Sequence, residues 1–240
     1  GEEEEGYIPF MIVYTDLVGN IGDTIETTTD ASSVLFDMTP PTDFVLGEVL
    51  SKEGTEVDGY WNSSNQSLML IVPVDNDETL VDGGIQIKTK FGENISIITD
   101  TILIEQVDLG TEKNVIIPDE NFESSTGFLE GENATFEALI WDKAGNTTAG
   151  TASMSTIHID QIVPTLDEIK LYSNNELDTT WAKMDDEVTL DFISSEGLNF
   201  VNAVLALDSL IGTGTNAGRY WKIAKTVTET DAEDTILFNI

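Results

Sequence analysis

Four aspartates stand where an oxygen-ligated cation could be held. Asp16 and Asp142 each open the pattern Asp-x-x-Gly-Asn, as Asp16 to Asn20 and Asp142 to Asn146, while Asp37 and Asp160 each lie just ahead of a proline-threonine exit. Carboxylates joined by backbone carbonyls suit a hard ion such as calcium, which takes roughly six to eight oxygens. The same residues have a local use, because an Asp ahead of Gly-Asn closes an Asx-type turn by accepting backbone N–H groups. Calcium is thus a candidate cofactor, with Asp16, Asp37, Asp142 and Asp160 as candidate ligands.

Other chemistry is thinner. Asp75-Asn76-Asp77-Glu78 begins like a helix-flanked calcium loop, but Leu80 stands where that loop needs Gly and Gln86 where it needs Glu. It reads as a solvated acidic turn. His158 is the only histidine. Strand alternation sets it opposite Ile157 and Ile159, and no nucleophile motif accompanies it. The 45 Asp and Glu residues offer many carboxylate pairs for glycoside hydrolysis, yet spacing singles out none. No catalytic signature is present, so the expectation is a protein that is not an enzyme. Trp61, Trp141, Trp181 and Trp221, with Tyr60 and Tyr220, are types that stack on sugars, and a surface glycan or protein is a candidate partner. Strands also use aromatics for packing, which is the reading for Tyr220-Trp221. Leu139 and Trp141 alternate away from Phe136 and Ile140, a face suited to an adjacent domain. Five Asn-x-Ser/Thr sequons, at Asn62, Asn65, Asn94, Asn133 and Asn146, suggest surface loops.

Composition narrows the partners. Forty-five acidic against 10 basic residues give a formal net charge of −35. Such a field repels phosphate backbones and anionic lipid, which argues against nucleic acid and membrane surfaces. No apolar run approaches the ~18 residues that span a bilayer, so membrane insertion is not expected. With no cysteine, disulfides and thiolate metal sites are excluded.

These residues must be positioned by strands. Asp16 to Asp142 is 126 residues and Asp37 to Asp160 is 123, a spacing that points to a tandem repeat of about one β-sandwich per period. Residues 7–14 alternate as a strand, Gly19-Asn20 turns, and residues 27–36 return, a hairpin that needs a partner because two strands alone are marginal in water. Further strands are expected at 67–74, 85–91, 95–105, 113–117 and 134–141, then at 168–173, 187–194, 200–207, 220–228 and 235–240. Residues 1–6 and 118–132 read as solvated or turn-rich connections. No segment carries a sustained helical period. The class is all-β.

At Phe10–Asn20 with Asp37–Thr42, and Phe136–Asn146 with Asp160–Thr165, the chain resembles the closing strands of bacterial immunoglobulin-like repeats. Ala182–Leu198 and Val57–Lys90 are similar to other parts of that group, which together cover nearly the whole chain. The second linker departs from the family pattern, with Ile162 where Thr is usual. The resemblance implies tandem Ig-like β-sandwiches, one complete and two partial. Residues 1–38 are then the closing hairpin of one unit, 39–162 a complete sandwich, and 163–240 a sandwich lacking its last strands. It implies an extracellular or cell-surface stalk, adhesin or filament, whose partners are adjacent Ig-like repeats.

Phe10 and Phe136 lie six residues before their aspartates, and Phe238 matches them with its Asp expected near position 244. Two arrangements follow. The chain is a stretch of a continuous array, or its hairpin at 7–37 completes the 165–240 unit of the next molecule by strand addition, which propagates as a filament.

Overall fold

The computed structural model describes residues 4–231 and 238–239. The fold is all-β, built from mostly antiparallel sheets with a few short helical turns. It divides into two compact units, Gly1–Ile162 and Val163–Ile240. Among the described residues no helix is long and apolar enough to cross a membrane.

The first unit begins with a long, loosely paired hairpin. Its regular ladder is only β1 (Gly6–Tyr7) on β2 (Leu35–Phe36). Above that, Ile8 N–H donates to the Val34 carbonyl at 2.9 Å, and isolated bridges join Ile12 to Ile25 and Thr15 to Ile21. The expected strands 7–14 and 27–36 are therefore extended segments with intermittent pairing. The physical reason is exposure: Tyr7, Ile8, Met11, Ile12, Val13, Tyr14, Ile21, Val34 and Leu35 all face outward. A ladder with no covered face has little to hold its register.

A sandwich follows. One sheet is β3 (Val49–Lys52), β5 (Ser67–Val74) and β9 (Thr111–Pro118), with β5 in the centre. The other runs β4 (Tyr60–Trp61), β12 (Ile157–Ile159), β10 (Asn133–Trp141), β6 (Gly84–Phe91) and β7 (Asn94–Ile97). Here β8 (Ile102–Leu103) also pairs with β6, and β11 (Thr147–Ala149) with β10. Strand periodicity decides which side chains meet. Leu68, Leu70, Val72 and Val74 of β5 are buried while Met69, Ile71 and Pro73 are not, the period of two of a half-covered strand. They share a core with Ile85 and Ile87 of β6, Phe136, Ala138 and Ile140 of β10, and Ile157 and Ile159 of β12. Pro73 is tolerated because it lies past the end of β3, on the edge where Ile71 still exchanges bonds with Gly47 and Glu48.

Two expectations change here. The stretch 95–105 is not one strand but β7 and β8, separated by a bend. The stretch 118–132 holds a one-turn helix, α1 (Asp119–Glu123), whose Phe122 is fully buried among Trp61, Phe91, Phe128 and Phe136. One turn is too short to register as helical periodicity, and its single core residue is set among polar neighbours.

In the second unit β13 (Leu166–Ser173), β14 (Glu187–Ser194), β18 (Tyr220–Thr226) and β17 (Thr213–Thr215) form one sheet. A smaller sheet orders β16 (Asp208–Ile211), β15 (Asn202–Leu205) and β19 (Phe238–Asn239). Leu190, Phe192, Val201, Ala203, Trp221 and Ile223 make its core. The expected strand 200–207 stops at Leu205, because Ala206 and Leu207 take left-handed φ values of 48° and 69° and turn the chain into β16. That pair of positive φ angles matches the twist of a tight hairpin. Of the expected strand 235–240, only Phe238–Asn239 lies within the described residues.

Candidate functional site

The two Asp-x-x-Gly-Asn sequences fold into the same turn. At the first, Asp16 Oδ1 accepts the Val18 and Asn20 N–H groups at 3.0 and 2.8 Å, and Oδ2 accepts the Asn20 side-chain amide at 2.6 Å. At the second, Asp142 Oδ1 accepts the Gly145 and Asn146 N–H groups at 2.8 and 2.9 Å, and Oδ2 accepts the Asn146 amide at 2.9 Å. The backbones close alike: Asp16 N–H reaches Asn20 C=O at 2.9 Å, and Asp142 N–H reaches Asn146 C=O at 3.1 Å. Gly19 and Gly145 supply φ values of +97° and +96°, a region that only glycine enters cheaply. The Asn20 amide first, then the turn N–H groups, hold the Asp16 carboxyl below its ordinary range.

What differs is the surroundings. Phe136, Ala138 and Ile140 lead into the second turn and are buried in the sandwich core. Their counterparts Phe10, Ile12 and Tyr14 are 40%, 51% and 52% exposed. One hairpin is built in and the other stands uncovered.

The second turn has a further task. The Asn146 amide that caps Asp142 also donates to the Asp37 carbonyl at 3.2 Å, across 109 residues. Next along the returning chain, Thr148 Oγ1 donates to the Pro41 carbonyl. Thr151 N–H then donates to Phe44 C=O at 2.9 Å, and Leu46 N–H to Thr151 C=O at 3.0 Å. The linker between hairpin and sandwich is thus laid along residues 146–151. Carboxylates pin it from two other sides. Glu5 accepts the Met38 N–H and the Thr39 hydroxyl at 2.9 and 2.8 Å, and Asp75 accepts the Thr42 hydroxyl at 2.7 Å. Hydrogen bonds, that of the hydroxyl foremost in each case, hold both carboxyls below the ordinary carboxylate range.

Of the four candidate calcium ligands, Asp16, Asp37 and Asp142 accept local hydrogen bonds through their side chains, and Asp160 is placed by its backbone. Asp16 and Asp142 close their turns, with Asp142 only 1% exposed and both its oxygens taken by turn donors. Asp37 Oδ1 accepts the Thr39 N–H at 3.0 Å, and Asp160 N–H donates to the Trp61 carbonyl at 2.9 Å. Among the described residues no three acidic or histidine side chains gather into a group able to hold a metal ion.

The aromatic candidates also sort themselves. Trp61 is fully buried, edge-on to Phe122 at 5.1 Å between ring centres, with Nε1 donating to Glu123 at 2.9 Å. It is a core residue and offers no platform for a sugar, a correction to the stacking expectation. Trp221 is buried in the second unit's core, whereas Trp181 is exposed. His158 is half-buried, bonded through Nδ1 to the Asn133 side chain at 3.1 Å and edge-on to Tyr60.

Glu5 and Asp75, read from sequence as solvated, turn out to bind the linker, and nothing local distinguishes them from other acidic residues. The recurrence of Asn20 at Asn146 was the only advance sign that the asparagine matters. No protein-family model matches the chain, and no curated protein does either.

Proposed function

We propose that this chain is a stretch of an extracellular or cell-surface array of tandem Ig-like β-sandwiches, acting as a spacer whose joints are stiffened by direct hydrogen bonds. One observation carries the reading. Residues 10–20 repeat the Asp–Asn bonds that close the turn of residues 136–146, yet the apolar face that is core at Phe136, Ala138 and Ile140 is bare at Phe10, Ile12 and Tyr14. A hairpin of this kind is the closing element of a sandwich, and its cost in exposed apolar surface is relieved when it covers one. The pinned linker supports a spacer rather than a flexible tether, since the joint has bonds from Glu5, Asp75, Asn146 and Thr148.

The test is a spliced tandem chain in which Leu237 of one copy runs directly into Phe10 of the next. The reading expects the second copy's Phe10, Ile12 and Tyr14 to become protected in hydrogen exchange, and the unit around the splice to melt cooperatively. A hairpin that stays as exposed and as exchange-labile in the spliced chain as in the single one would refute it. The same bare hairpin favours a second reading, in which it completes the unit 163–240 of a neighbouring molecule and so builds filaments. Concentration-dependent growth of the unspliced chain, abolished by Phe10→Asp, distinguishes that reading.

A further inference from the structure

We infer that Asp58 is a modification site: its side chain closes on the Gly59 amide and converts the Asp58–Gly59 link to isoaspartate, which unfastens β4 from β12. Val-Asp-Gly occurs twice, at residues 57–59 and 81–83. An aspartate followed by glycine is prone to this reaction because no Cβ hinders the following nitrogen. Both copies carry the same reacting groups behind the same valine, so a difference between them comes from the fold.

The chemistry needs no reagent beyond water. The Gly59 backbone nitrogen attacks the Asp58 side-chain carboxyl carbon. The nitrogen gives up its proton and the carboxyl, protonated from solvent, its hydroxyl; these leave as water and a cyclic imide remains. Water then opens the ring. Opening at the side-chain carbonyl restores aspartate, whereas opening at the former main-chain carbonyl routes the chain through the Asp58 Cβ and lengthens it by a carbon.

At Asp58 the fold leaves both reacting groups free. Tyr60 N–H donates to Val57 C=O at 3.1 Å, closing a turn with Asp58 and Gly59 in the middle. Gly59 has a φ of +74°, as glycine at the third place of such a turn allows. Its N–H takes no part in closing the turn and donates to nothing among the described residues. Asp58 is exposed, and among the described residues its carboxylate holds no hydrogen bond or ion pair. A Cβ built on Gly59 would meet only the Thr156 carbonyl oxygen, at 3.7 Å, so the peptide has room to turn.

Asp82 is the closed counterpart. Gly83 N–H donates to Leu80 C=O at 2.9 Å, and the Asp82 carboxylate lies 2.7 Å from Lys143 Nζ. Asp82 N–H and Gly83 C=O are both bonded to the Ile104 backbone, at 3.0 and 3.2 Å. Gly83 is buried, and a Cβ on it would lie 2.2 Å from the Trp141 carbonyl oxygen. Its nitrogen reaches the carboxyl only by breaking that packing.

The turn at Asp58 leads straight into β4. Gly59 C=O accepts the His158 N–H at 2.8 Å and Trp61 C=O the Asp160 N–H at 2.9 Å, the bonds that hold β4 beside β12. An extra backbone carbon just ahead of them moves Gly59 off His158. None of this depends on the chain being a spacer.

The test is storage of the full chain at neutral pH, below its melting temperature, then peptide mapping with fragmentation that separates aspartate from isoaspartate. Asp58 should convert faster than Asp82 by about fivefold or more, the worth of the one net hydrogen bond on Gly83 N–H. In strong urea the two sites should convert at like rates, because only the fold separates them. Hydrogen exchange on the stored chain should show His158 N–H losing protection in step with isoaspartate at Asp58. Asp58→Glu, which needs a larger and slower-forming ring, should abolish the modification there and keep His158 protected over the same storage. Equal rates at Asp58 and Asp82 in the folded chain, or a ratio that urea leaves unchanged, would overturn the site. Protection of His158 that survives isomerisation would overturn its effect on β4.

Discussion

The Asn146 side-chain amide joins its own turn to Asp37: Nδ2 lies 2.9 Å from Asp142 Oδ2 and 3.2 Å from the Asp37 carbonyl oxygen. One side chain thereby closes a hairpin and fastens the linker that enters the same sandwich. Asn20 makes the first of these contacts within an uncovered hairpin.

That difference sets the outcome of paired substitutions. Asn146→Ala removes the turn cap and the linker bond and should cost about 1–3 kcal/mol. Asn20→Ala should shift the global unfolding midpoint by less than ~0.5 kcal/mol, as exposed sites do. Urea denaturation of both variants makes the comparison, and equal losses would contradict it.

The matched phenylalanines should behave as unequally. Phe136→Ala empties a fully buried site and is expected to cost about 3–5 kcal/mol. Phe10→Ala should cost under ~1 kcal/mol in the single chain while lowering the binding of a hydrophobic dye. In the spliced tandem chain, Phe10→Ala should approach the cost of Phe136→Ala.

Trp61 belongs to the core, so Trp61→Ala should destabilise the first unit by about 3–5 kcal/mol. It also leaves Glu123 without its indole donor. Calorimetry that follows the two units separately should show the loss in the first and none in the second.

Acid should loosen the linker before it unfolds the sandwich. Glu5 and Asp75 have folded pKa values depressed by their hydrogen bonds. Their contribution is complete above the ordinary carboxylate value of about 4 and is lost as pH falls through the depressed values. Hydrogen exchange at Met38, corrected for its intrinsic pH dependence, should gain no protection above pH ~5 and lose it below ~4. Glu5→Gln should remove that pH dependence.

The joint as folded is held by direct bonds, so calcium followed by chelator should leave the melting temperature and the scattering dimensions of the chain unchanged. A rise in both with calcium would show that the aspartates rearrange into an ion site and would restore calcium as the stiffener.

Sequence alone settled what local physics can settle. The unbroken apolar run after Ser67 marked Ser67–Val74 as β5, because a run of that length between polar turns reads as a strand. Glu187–Ser194 was equally legible as β14. The recurrence of Asp-x-x-Gly-Asn foretold two like turns, because a short side chain and a glycine specify that backbone almost unaided. Tertiary structure decided everything that depends on what covers a face. Period two gives Phe10 and Phe136 the same orientation within their strands, yet only the packing of β5, β6 and β9 around Phe136 makes one of them core. It also took Trp61 from the surface, set Phe122 on a one-turn helix, and turned Glu5, Asp75 and Asn146 toward a linker. Those contacts join residues tens to over a hundred positions apart, and neither propensity nor periodicity carries information over that distance.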